Sequence, residues 1–169
     1  MKTRLLIGSF LLVLAFTSIQ GIAQQKDDGK AKPYKEIKVT SVMLDAARKQ
    51  ATSQQKFLMV EFGANWCEDC IVLADNLEKG ETRDYFQKHF VVLKVDVGQF
   101  DKNLDIAKSL GVTLDKGIPT AVFFAPDGSK VGATNNGELE PSRKYGTKQI
   151  YAFLKEIAEH RLITKPGGR

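Results

Sequence analysis

Two cysteines, the only ones in 169 residues, sit three apart at Cys67 and Cys70, and the pattern on either side of them allows few folds. Upstream, Phe57-Leu58-Met59-Val60-Glu61-Phe62 is an apolar run of the length of a buried strand. Downstream, Cys70, Leu73, Ala74 and Leu77 recur at the spacing of one helix face. The Cys-x-x-Cys pair therefore straddles a strand-to-helix turn. Cys67 is expected at the helix start, where unpaired backbone N–H groups and the helix dipole favour a thiolate. Cys70, one turn further in, heads the buried face and is placed to attack a mixed disulfide formed on Cys67. Taken alone, such a pair is shared by metal sites, structural bridges and redox dithiols.

The rest of the chain alternates strand and helix patterns. Ile37-Lys38-Val39-Thr40-Ser41 alternates weakly, as a first strand would, and Met43 to Gln54 is helical, with Met43, Ala46, Ala47 and Ala51 as its apolar stripe and Ser41 as its cap. The Cys-x-x-Cys helix is expected to end near Gly80. Thr82 to His89 reads as a short helix, Phe90 to Val97 as a β-branched strand, and Leu104 to Leu110 as a helix closed by Gly111. Ala121 to Phe124 and Lys130 to Thr134 flank Pro126-Asp127-Gly128-Ser129, a hairpin signal. Thr147 to Arg161 is a last helix with Ile150, Phe153, Leu154 and Ile157 inward. This order argues an α/β domain with a mixed central sheet and helices on both faces.

Four features around the cysteines occur together: the strand before them, the helix after them, Trp66 directly before Cys67, and Gly117-Ile118-Pro119-Thr120 opening the apolar run to Phe124. With these motifs the chain resembles the thioredoxin superfamily, over roughly Val39 to Arg161. The resemblance implies the thioredoxin fold, a cis peptide before Pro119, and a thiol–disulfide oxidoreductase with Cys67 and Cys70 as its dithiol. It places Trp66 as a shield over the dithiol, and Ile118 and Pro119 beside an extended substrate segment. Glu61 stands where many members place a buried aspartate, which implies a base beneath Cys70. From alternation alone Glu61 could equally face solvent at a sheet edge, Trp66 could be core packing, and Pro119 an ordinary trans proline. Glu68-Asp69 departs from the usual Gly-Pro between the cysteines. Asn135 to Tyr145 is longer than a plain thioredoxin needs there, either an inert insertion or a loop for partner specificity.

The first residues bear on where this chemistry takes place. Lys2 and Arg4 precede an apolar core from Leu5 to Phe16, and Gly21-Ile22-Ala23 places small residues at −3 and −1 of a cleavage site. Residues 1–23 are expected to be a signal peptide cleaved after Ala23, with a core short for a bilayer span. Residues 24–35 are expected to be a flexible linker, 36–163 the thioredoxin-like domain, and 164–169 a tail. Export puts the pair in an oxidising compartment, periplasmic or secreted, where a dithiol stays reduced only if something reduces it. The 25 basic and 20 acidic residues are interspersed, with no basic stripe interleaved with aromatics, so nucleic acid is not an expected partner.

Other constellations fit poorly. Zinc would need His89 and His160 beside the cysteines, and neither has a paired ligand spacing. Asp101-x-Asn103-x-Asp105 imitates a calcium loop, but Ile106 and Val112 occupy its glycine and acid positions. The expected protein is a monomer without metal or organic cofactor. Its partners are disulfide-containing proteins, together with an electron donor that is either a membrane protein or another thioredoxin-like protein. Two alternatives stay open: an oxidase or isomerase, and a protein-binding module whose disulfide is inert.

Overall fold

A computed structural model describes residues 32–161 and 163–166. The expected signal peptide and residues 24–31 of the expected linker lie outside them. Four strands carry the architecture: β1 (Phe57–Gly63), β2 (Phe90–Asp96), β3 (Thr120–Phe124) and β4 (Lys130–Ala133). They form one mixed sheet in the order β2-β1-β3-β4, with β2 parallel to β1, and β3 antiparallel to both β1 and β4. β1 is central and all seven of its residues are buried, as a strand covered on both faces must be. Side chains alternate across a strand, so Leu58, Val60 and Phe62 feed one core cluster, while Phe57 and Met59 feed the other.

Helices α1 (Ser41–Ser53) and α4 (Leu104–Ser109) pack on the first cluster through Leu44, Ala47, Ala51, Ile106 and Ala107. The second is closed by α2 (Glu68–Leu77), α3 (Gly80–His89) and α5 (Thr147–Lys155), through Leu73, Leu77, Phe86, Ile150, Phe153 and Leu154. Beyond α5, a wider turn over Glu156–His160 adds Ile157 to the same face. The hairpin turn forms at Pro126 to Ser129, with Gly128 at φ +84° and Ala125 N donating to Ser129 O.

Three expectations need correction. Residues 37–41 are not a strand. Val39 N donates to Asn103 Oδ1 (2.8 Å), and Asn103 Nδ2 donates to the carbonyls of Ile37 and Asp96 (3.0 and 2.8 Å). One buried side chain thus supplies the partners that a neighbouring strand would have given. In α1 the cap is Thr40, whose hydroxyl accepts from Met43 N, and the buried stripe runs through Leu44 with Ala46 exposed. Gly80 does not terminate α2; that helix ends at Leu77, and Gly80, at φ +46°, begins α3.

Tyr34, inside the segment expected to be a flexible linker, is instead held in the fold. Tyr34 is 2% exposed and belongs to the core. Its backbone is held in both directions by Asn65, which accepts from Tyr34 N (3.0 Å) and donates to Tyr34 O (2.9 Å).

Candidate active site

The strand-to-helix turn places the cysteines as the sequence suggested. Cys67 is the N-cap of α2, and its Sγ accepts a hydrogen bond from Cys70 N (3.1 Å), one of the donors a helix start leaves unpaired. The two are joined as a disulfide with Cα atoms 5.2 Å apart. Cys70 is fully buried, whereas Cys67 lines an open cavity of about 280 Å³. Cys67, itself 6% exposed, is thus the member of the pair that borders the cavity.

That cavity gathers three of the six expected site residues. Trp66, Cys67 and Ile118 line it, and Pro119 follows Ile118 through a cis peptide. Cys67 Sγ lies 3.5 Å from the Ile118 carbonyl oxygen. Trp66 is half exposed, which rules out plain core packing; its Nε1 donates to Gly98 O (2.8 Å) and its ring meets Phe100 edge-on at 5.9 Å. The wall thus combines the rings of Trp66 and Phe100 with the backbone of Gly117 and Ile118 and the charged side chains of Glu68, Asp69, Glu140 and Arg143.

Glu61 lies apart from the cavity. It is fully buried in the central strand, so the solvent-facing reading is excluded. Tyr34 Oη donates to Glu61 Oε1 (2.5 Å), and Lys94, its register partner on β2, brings Nζ to 3.8 Å from Oε2, which accepts no hydrogen bond. Burial pushes the Glu61 carboxyl above the ordinary glutamate value against the pull of Lys94 and Tyr34. Burial, then the Glu61 charge, hold the Tyr34 phenol well above its usual value, so it stays a donor. Gly63 makes room for this pair: a Cβ there would stand 2.3 Å from Tyr34 Oη. Asp96, across from Gly63, is buried with Lys102 Nζ 3.6 Å from Oδ2.

The long segment after β4 is packed into the fold. Leu139 and Ser142 are fully buried, and a 3-10 turn over Ser142–Lys144 sits on the start of α2. There Arg143 N donates to Asp69 Oδ1 (2.7 Å), Nε to Asp69 Oδ2 (3.0 Å), and Nη1 to Glu68 Oε2. Further along, Asn76 Nδ2 donates to Tyr145 O (3.2 Å). Asp69 and Glu68 raise the Arg143 guanidinium above its ordinary value.

Sequence reasoning missed Tyr34, Asp96, Phe100 and Arg143. An aromatic inside a polar arm and an arginine inside a long loop were the available signals. The calcium-like trio is structural instead: Asp101 accepts from Gln99 N, Asn103 ties the arm to β2, and Asp105 pairs with Lys38. His89 stacks on Tyr85 at 4.3 Å and His160 is exposed. Among the described residues, no group of three or more His, Cys, Asp or Glu side chains could hold a metal ion.

The model of a family described as thioredoxin-like matches residues 39–126. The disulphide isomerase of Xylella fastidiosa Temecula1 has a structure similar to this one, with TM-score 0.70 and 35% identity over 74% of this chain and 95% of that one. The chain is also 32% identical over 80 residues to the chloroplastic thioredoxin-like protein CITRX of Arabidopsis thaliana, and 36% identical over 83 residues to the chloroplastic thioredoxin-like protein HCF164 of Oryza sativa subsp. japonica. These matches take in 47% and 49% of this chain but only 39% and 29% of the two plant proteins. A thioredoxin fold with a Cys-x-x-Cys pair at a helix start defines the class, that of the thioredoxin-like proteins. The chain belongs to the thioredoxin-like family.

Proposed function

We propose that this is an exported thiol–disulfide oxidoreductase that reduces disulfides in other proteins. The observation that carries the reading is the asymmetry of the pair: Cys67 lines a cavity beside Trp66 and Ile118, and Cys70 is fully buried. In the reduced protein the Cys67 thiolate attacks one sulfur of a substrate disulfide. A Cys67–substrate bond forms, and the other substrate sulfur leaves as a thiolate that takes up a proton. Cys70 then gives its proton to Glu61 and attacks Cys67 Sγ. The mixed disulfide breaks, the second substrate thiol is released, and two electrons have passed from the dithiol to the substrate. The product is the Cys67–Cys70 disulfide, the form described above. A membrane or thioredoxin-like donor returns it to the dithiol, and the protein works as a monomer without metal or organic cofactor.

Local charge supports the reducing direction. Two carboxylates and one guanidinium stand at the start of α2, leaving one net negative charge beside a sulfur that must become a thiolate. This disfavours the reduced form relative to a neutral turn. The Xylella relative keeps disulfide isomerisation as the second reading, since both use the same attack by Cys67. Export rests on the charged and apolar start of the chain alone.

Catalysed reduction of a disulfide-bonded protein by dithiothreitol tests the reading. The protein is expected to accelerate it well above the dithiol alone. No acceleration, with the pair intact, would leave a structural bridge.

A further inference from the structure

The two residues between the cysteines are acidic, an arrangement that would hinder thiolate formation at Cys67 if nothing opposed it. Asp69 is only 8% exposed, too buried to be left to solvent screening. What opposes it comes from far along the chain. Arg143 lies 74 residues after Asp69, in a turn held in place by buried Leu139 and Ser142, and it spends its backbone N–H and its guanidinium on both acids. It also lines the same cavity as Cys67, Trp66 and Phe100. The remaining charged group of that cavity is Glu140, which packs over Gly117.

From this placement we propose that Arg143 is the positioning residue that sets the redox poise of the pair: it partly neutralises Glu68 and Asp69 and so regulates how readily Cys67 ionises. The inserted segment is a charge regulator of the active site, not a passive loop. The inference rests on the exchange chemistry proposed above and concerns its equilibrium.

A brace and a charge regulator make opposite demands on a set of variants. Arg143→Gln leaves two carboxylates alone at the helix start, and Glu68→Gln with Asp69→Asn leaves the guanidinium alone. If Arg143 merely braced the turn, both changes would break the same bonds and move the equilibrium the same way. A charge regulator moves them apart. The experiment equilibrates each full-chain variant with glutathione and measures the constant for forming the Cys67–Cys70 disulfide. The thiolate absorbance of Cys67 is followed against pH in parallel.

Arg143→Gln is expected to raise that constant by about three- to tenfold, the effect of one partly screened charge at close range, and to raise the Cys67 pKa. A tenfold change is about 30 mV toward the reducing side. The double acid variant is expected to lower the constant, the triple variant to fall between it and wild type, and Arg143→Lys to stay near wild type. The differences should shrink in high salt. Shifts of the same sign in Arg143→Gln and the acid variant, or constants equal to wild type within twofold, would overturn the proposal. Wild type that does not exchange with glutathione at all would instead overturn the function on which it rests.

Discussion

Cys67→Ser is expected to reduce catalysed disulfide reduction to the uncatalysed background, while Cys70→Ser keeps the attack and loses the escape. The difference follows from position on α2. Cys67 is the helix cap and lines the cavity, so its removal takes away the sulfur of the pair that a substrate meets first. Cys70 is fully buried and acts only after a mixed disulfide exists, so its removal stops the reaction at that stage. Cys70→Ser protein exposed to disulfide-bonded substrates should therefore accumulate covalent adducts, visible by mass spectrometry and lost on reduction. Adducts on Cys67→Ser and none on Cys70→Ser would reverse the two roles.

Glu61→Gln is expected to separate catalysis from stability in opposite directions. Resolution by Cys70 needs a base and the first attack does not, so the second step should slow by on the order of 10²–10⁴-fold, with the first unchanged. Trp66, half exposed beside the pair, can report both steps in stopped-flow fluorescence. Equal rates for the second step would retire Glu61 as its base. The stability effect has a defined sign. Burial raises the folded-state pKa of Glu61 above its ordinary value of 4.5, so its contribution is complete below that value and is lost as pH rises through the folded pKa. Glutamine carries no charge to bury, and its side-chain oxygen can still accept from Tyr34 Oη. The variant should thus match wild type in acid, exceed it at neutral pH, and show a flatter dependence of urea midpoint on pH. Parallel profiles would mean that the buried charge costs the fold nothing.

The groups legible in the sequence are those whose signal is local. Cys67 and Cys70, the strand before them and the helix after them each follow from spacing within about ten residues, and the hairpin follows from Pro126-Asp127-Gly128-Ser129. Ile118 and Pro119 came from the family resemblance, and the structure puts them beside Cys67. What escaped notice depends on distant partners. Tyr34 looked like part of a polar arm because its partners Glu61 and Asn65 lie 27 and 31 residues away. Arg143 was one cation in a long loop until the fold set it on Asp69. The false strand at residues 37–41 has a similar origin, since its backbone is satisfied by the Asn103 side chain, which no pattern of alternation can reveal. The partner of Glu68 and Asp69 likewise lies far along the chain, at Arg143.

Whether the pair serves reduction is answered most directly by its midpoint potential, measured by titrating the free thiols of the wild-type protein in glutathione redox buffers. One net negative charge at the start of α2 places the expected value nearer the about −270 mV of thioredoxin than the about −120 mV of a strong periplasmic oxidant. A midpoint above about −180 mV, the range of protein disulfide isomerase, would contradict the reducing assignment and favour an isomerase or oxidase.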